Sequence, residues 1–138
     1  MHDVSRRSAV ALGLAAASVA LVRPAAAQAP DPLAGEEAEV GPGVVVRTYG
    51  EERSIIPGFK TVSMRDVILQ PGAQTQQDAV MMNAMICHIP EGELRVVQDG
   101  HTFTAKKNYA WTCNEGTKEH VVNDSNAVAI MRILDLKA

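Results

Sequence analysis

Aromatic side chains are scarce: Tyr49, Phe59, Phe103, Tyr109 and Trp111 are the only ones among 138 residues. A core must therefore come from Val, Ile, Leu and Met, and the shortage argues against a base-stacking platform for nucleic acid. The basic excess of a nucleic-acid binder is missing as well, with 13 Lys and Arg against 16 Asp and Glu. There is no Cys-x-x-Cys, phosphate-binding glycine loop, nucleophile elbow or His-Glu-x-x-His, so redox, nucleotide, serine-hydrolase and zinc-protease readings lack their residues. Beyond the first 27 residues no stretch longer than about ten residues keeps helical periodicity, and no repeat of roughly 20 to 50 residues is visible. The length suits one domain and excludes a multidomain enzyme.

What is present begins with a head that reads as an address. Ser5-Arg6-Arg7 supplies charge, Ala9 to Val22 is an uncharged and mostly apolar run, and Ala25-Ala26-Ala27 offers small residues for cleavage before Gln28. A run of that length rises roughly 21 Å as a helix, short of the roughly 30 Å hydrocarbon layer, which argues against a stable membrane anchor. The paired arginines suggest twin-arginine translocation, although Ser8-Ala9-Val10 lacks the usual large apolar residue and leaves general secretion open. Residues 1–27 are thus expected to be an export signal, and the mature protein to be periplasmic or secreted in a bacterium. Residues 28–138 then carry a net charge of −5, further disfavouring polyanionic partners. Cys87 and Cys113 both lie in this part, where an oxidising compartment permits either a disulfide or two buried thiols.

Residues 28–43, with Pro30, Pro32, Pro42 and the Glu36, Glu37, Glu39 cluster, read as a flexible arm with little order. From Val44 to the end, short β-branched runs alternate with turn signals. They span 44–48, 61–69, 84–89, 93–97, 101–105, 109–113, 120–122 and 128–136. That rhythm predicts an all-β sandwich or small barrel over 44–138. The strongest local signal is Asp99-Gly100, a dipeptide suited to a tight hairpin, between Arg95-Val96-Val97-Gln98 and His101-Thr102-Phe103-Thr104.

Pro71-Gly72-Ala73-Gln74-Thr75, Pro90-Glu91-Gly92-Glu93-Leu94 and Asp99-Gly100 together resemble a small single-domain cupin over residues 60 to 136. The resemblance implies a jelly-roll β-barrel, a homodimer, and a divalent metal held by three His and one Glu. In the family's first motif, Gly72 and Gly92 match the glycines, while Asp78, Val80 and Met85 stand where His, His and Glu belong. In the second, Asn108 and Asn114 stand at the first Gly and the Pro, Gly116 matches, Glu119 stands at the His, and Asn123 matches. A one-residue bulge would instead bring His120 to the ligand position and Asp124 to the Asn. Strand alternation keeps Glu119 and His120 from both facing the interior. Valine has no donor and methionine suits hard cations poorly, so no cofactor is expected; if a metal binds, Asp78, Cys87, Glu119 and His120 are its candidate ligands.

The expected pocket is lined by Val80, Met81, Met85, Cys87, Trp111 and Cys113, with Asp78 and Glu119 or His120 at its edge. Asp78 with Glu119, or with His120, is the candidate acid/base pair. Met81, Met82, Met85, Cys87 and His88 form a run of soft donors that raises a copper(I) ion as a possibility, although Met85 and Cys87 alternate away from Ile86 and His88. In the jelly roll implied by the resemblance, the strand through Met85–Ile89 lies antiparallel to Tyr109–Cys113, which brings Cys87 and Cys113 together. Two functions remain: a binding or accessory module for a small apolar molecule or a protein partner, and an enzyme of isomerase, lyase or oxygenase type.

Overall fold

A computed structural model describes residues 35–138. The expected export signal and residues 28–34 lie outside them. The β-branched runs pair into nine strands: β1 (Glu36–Gly41), β2 (Val44–Arg53), β3 (Thr61–Leu69), β4 (Ala84–Glu91), β5 (Glu93–Gln98), β6 (His101–Lys106), β7 (Ala110–Cys113), β8 (Glu119–Val122) and β9 (Ala129–Lys137). One sheet runs β1-β2-β3-β9-β4-β7 and the other β6-β5-β8, and every pairing is antiparallel.

Alternation decides what each strand buries. Along β9, Ala129, Met131, Ile133 and Asp135 are buried while the residues between them are only half-buried, and β4 buries Met85, Cys87 and Ile89 while Ile86 is exposed and His88 half-buried. These side chains meet Leu94 and Val96 of β5 and Val121 of β8 in one core that also takes in Val44, Val67, Leu69, Trp111 and Cys113. Apart from Trp111 the fully assembled core is aliphatic and sulfur-bearing, as the shortage of aromatics requires. Asp99 and Gly100 both have positive φ, 46° and 82°, and close the β5–β6 hairpin with Gln98 opposite His101.

The arm is where the structure departs from expectation. Residues 36–41 are not loose: β1 pairs with β2 from Glu36 opposite Thr48 to Gly41 opposite Val44, so the domain starts ahead of residue 44. Its glutamates occupy the outer edge of the large sheet, where charge discourages a further strand from adding. Glu37 pairs with Arg47 on β2. The stretch between β3 and β4 forms no strand of its own, yet it runs beside β8 through bridges from Gln74 to Val122 and from Val80 to Lys118. The backbone of Asn123 ties it down, accepting from the Gly72 amide at 2.8 Å and donating to the Ala73 carbonyl at 2.9 Å. Its buried side chain joins β3 to the β8–β9 loop: Nδ2 donates to the Leu69 carbonyl at 3.0 Å and the Ala127 carbonyl at 2.8 Å, and Oδ1 accepts from the Ser125 amide.

Candidate functional site

Between the sheets lies a cavity of about 270 Å³. Val46, Val67, Met131 and Ile133 from the large sheet and Val121 from the small one form its apolar walls. Val40 of β1 covers one side, and Ala79 and Met81 of the β3–β4 connection border it. Its polar groups are Arg65, Thr75, Glu119 and His120.

Glu119 opens β8 and is buried. Its Oε2 accepts three hydrogen bonds, from the Trp111 indole Nε1 at 3.1 Å, the Gln98 amide Nε2 at 3.1 Å and the Cys113 thiol at 2.8 Å. None of the described contacts ends on Oε1, and no fully buried side-chain oxygen among the described residues lacks a partner, so Oε1 is not sealed from solvent, and Glu119 borders the cavity. Gln98 is itself fixed by donating to the Thr112 carbonyl at 2.9 Å. The donors reach Glu119 because β5 pairs Gln98 directly with it, while β7 alternates Trp111 and Cys113 inward.

Both cysteines are free thiols. The register explains why they are close but not bonded. Met85 faces Cys113 and Cys87 faces Trp111, so the cysteines are diagonal neighbours. Diagonal positions lie about 7–8 Å apart in the backbone, at the upper limit of what a disulfide spans. Cys113, burial and the nearby Glu119 carboxylate all raise the pKa of Cys87, with Arg65 opposing, so the thiol stays protonated. Phe103 and Tyr109 back Trp111, with ring centroids 5.8 and 6.2 Å from it.

The expected site residues separate into three places. Cys87, Cys113, Trp111 and Glu119 come together inside, and Met85 is buried beside them. Met81 is half-buried and borders the cavity. His120 also borders it, although its position on β8 has the opposite parity from Glu119. Val80 does not line the interior as expected; bridged to Lys118, it is 47% exposed and borders a shallower groove at the barrel mouth. Asp78 is exposed and does not border the cavity. Met82 is 78% exposed and His88 sits on the other face of β4 from Cys87, so the run of soft donors does not converge.

The mouth holds a pair that the sequence reading missed. Arg65 Nε donates to Asp135 Oδ2 at 2.8 Å across β3 and β9, and both residues border the groove with Met81 and Met85. Gln98 was missed as well. Arg65 interrupting an apolar strand on its inward parity, and Gln98 closing a hairpin, were the available signals.

The hard divalent cation implied by three His and one Glu does not fit this chain. Of the four positions, Val80 has no donor, Met85 has only a thioether and Asp78 is exposed, which leaves Glu119 as a single buried oxygen donor.

No model of a protein family matches the chain, and no curated protein matches it in sequence. Solved structures do match in fold. An RmlC-like cupin from Shewanella frigidimarina NCIMB 400 superposes with a TM-score of 0.61 at 14% identity, covering 75% of this chain and 85% of that one. A sugar phosphate isomerase of the cupin superfamily from Silicibacter pomeroyi DSS-3 gives 0.61 at 19% identity, covering 78% and 74%. The cupin domain of an XRE-family transcriptional regulator from Enterobacter cloacae gives 0.56 at 18%, covering 70% and 99%. The fold is a cupin-type jelly roll. An isomerase and a regulator share it, so the fold alone names no activity.

Proposed function

We propose that this chain is an exported accessory module that binds a small, largely apolar molecule inside its barrel without turning it over. The observation that carries the reading is the cavity of about 270 Å³, walled by aliphatic side chains and bordered by the Glu119 carboxylate, which three donors hold in place. Such a shape selects a ligand with an apolar body and a single donor or cationic head. Glu119 anchors that head; Arg65, paired with Asp135, guards the mouth.

The acid/base alternative draws less support. Exposed Asp78 lies outside the cavity that Glu119 and His120 border, so the proposed partners do not share a common space for a substrate. A homodimer is part of the proposal, supported by the apolar outer face of the large sheet, and so is export, supported by residues 1–27.

Trp111 is the only tryptophan and donates to Glu119, so its fluorescence reports on the site. Hexylamine, hexanol and hexanoate serve as probes with a common body and different heads. Hexylamine should shift the emission and raise the melting temperature, and hexanoate should do neither. Glu119→Gln should weaken hexylamine about tenfold, the loss of one charge-assisted hydrogen bond, while sparing hexanol. Silence toward all three probes, or equal binding of hexanoate, would reject the reading. Cell fractionation and the intact mass of periplasmic protein test export; the expected product is residues 28–138.

A further inference from the structure

We infer that Cys87, Cys113 and Glu119 form a binding site for one thiophilic divalent cation of the zinc type, which shares only Glu119 with the three-His-one-Glu positions and takes its other donors from two cysteines outside them. The inference does not rest on the apolar-ligand reading. The sulfur atoms of Cys87 and Cys113 and a Glu119 carboxylate oxygen all lie within 4.8 Å of one another, and all three residues are buried. They come from three strands, β4, β7 and β8, of two different sheets, so their convergence reflects tertiary packing rather than local sequence.

The diagonal register gives the trio its character. Backbones about 7–8 Å apart are poorly placed for a direct sulfur–sulfur bond, but an ion between two thiolates adds two metal–sulfur bonds of about 2.3 Å to the span. Tetrahedral bonds of that length put the sulfurs about 3.7 Å apart, so the donors need close by only about 1 Å from the observed limit. As the ion binds, the Cys87 and Cys113 thiols both release their protons to solvent, and the Cys113–Glu119 contact of 2.8 Å opens. Two thiolates and one carboxylate suit zinc or cobalt(II) and do not suit magnesium or calcium.

The surroundings already supply supports for the ligands. Trp111 Nε1 and Gln98 Nε2 both donate to Glu119, and Gln98 Nε2 also lies 3.1 Å from the Cys113 sulfur. Glu119 borders the cavity while neither cysteine does, so the carboxylate is the donor nearest the ion's way in.

Cobalt(II) is the probe, added to the reduced, full-length chain. One equivalent should produce thiolate-to-cobalt charge-transfer absorption of two-thiolate intensity with tetrahedral visible bands, and zinc should displace it. Cys87→Ser and Cys113→Ser should each remove about half of the charge-transfer intensity and weaken binding at least tenfold. Glu119→Gln should keep that intensity, weaken binding and change the visible bands. Circular dichroism verifies that each variant is folded, and if a serine variant is not, the wild-type intensity still counts the thiolates. Absence of the charge-transfer band in folded, reduced wild type, or its full persistence in a folded serine variant, overturns the site. Visible bands unchanged in Glu119→Gln overturn the three-donor assignment. The hexylamine response is read without metal, so failure of either proposal leaves the other standing.

Discussion

Asp66, with Glu119 and Asp135 one of three buried carboxylates among the described residues, shows how a charge is held in a largely aliphatic protein. It lies on the outer face of β3, yet only 2% of its surface is exposed. Burial would push its carboxyl upward, but Arg132 forks onto both oxygens at 2.8 Å and the Tyr49 hydroxyl donates at 2.8 Å, and together they lower it below the ordinary 3.8. A carboxyl lowered in the folded state binds fewer protons there than in the unfolded chain. Its stabilisation is therefore complete above about pH 4 and is lost as pH falls through the lowered value. Asp66→Asn should cost about 1–3 kcal/mol at neutral pH, discounted because Arg132 is partly solvated, and should flatten the decline of stability at acid pH. Urea unfolding of wild type and variant from pH 7 down to pH 3 checks this; parallel curves would show that the cluster carries no pH-linked stability.

At the scale of elements, the hairpin of β5 and β6 and the buried alternation of β4 and β9 were legible because each is written in consecutive residues. Asp99-Gly100 specifies the turn, and Met85, Cys87 and Ile89 repeat at the strand period. β1 was not legible, because Glu-Glu-Ala-Glu-Val-Gly has no apolar alternation and becomes a strand only through pairing with β2. The site divides in the same way: Cys87, Cys113 and Trp111 follow from strand parity, which admits Glu119 or His120 but not both and leaves the choice to the register of β8, whereas Gln98, Arg65 and Asp135 join through cross-strand neighbours. The two motif glycines separate turn chemistry from packing. Both have positive φ, but a Cβ on Gly92 would meet Ala129 Cα and the Val128 carbonyl oxygen at 2.8 Å, while one on Gly72 meets nothing within 4 Å. Gly72→Ala should cost about 1–2 kcal/mol from backbone conformation alone, and Gly92→Ala about 2–4 kcal/mol because β9 must also give way. Denaturant midpoints decide it; equal losses would mean that the approach of β9 to the β4–β5 turn costs nothing to relieve.

For the whole molecule, the question is what the outer face of the six-stranded sheet meets. The registers place Met64, Leu134, Ile86 and Thr112 in one row across β3, β9, β4 and β7, with Val62, Leu136 and Ala84 in a row beside it. On the other side of the first row stands the polar row of Asp66, Arg132 and His88, followed by Ile68 opposite Ile130. Ile86 is 40% exposed at the centre of the first row. An apolar band with polar groups beside it matches the core-and-rim pattern of a protein interface, and a two-fold axis through it lets one patch serve both copies. The proposed homodimer would bury this band and leave the cavity mouth, on the other side of the sheet, free to exchange ligand. Ile86→Lys puts a charge at the centre of the band on both copies at once, so like charges meet across the axis. Sedimentation should find wild type as a dimer and the variant weakened at least tenfold toward monomer, with hexylamine binding unchanged because Ile86 points away from the cavity. A monomeric wild type rejects the dimer, and lost hexylamine binding in a folded monomeric variant would mean that the band and the cavity are coupled through the sheet.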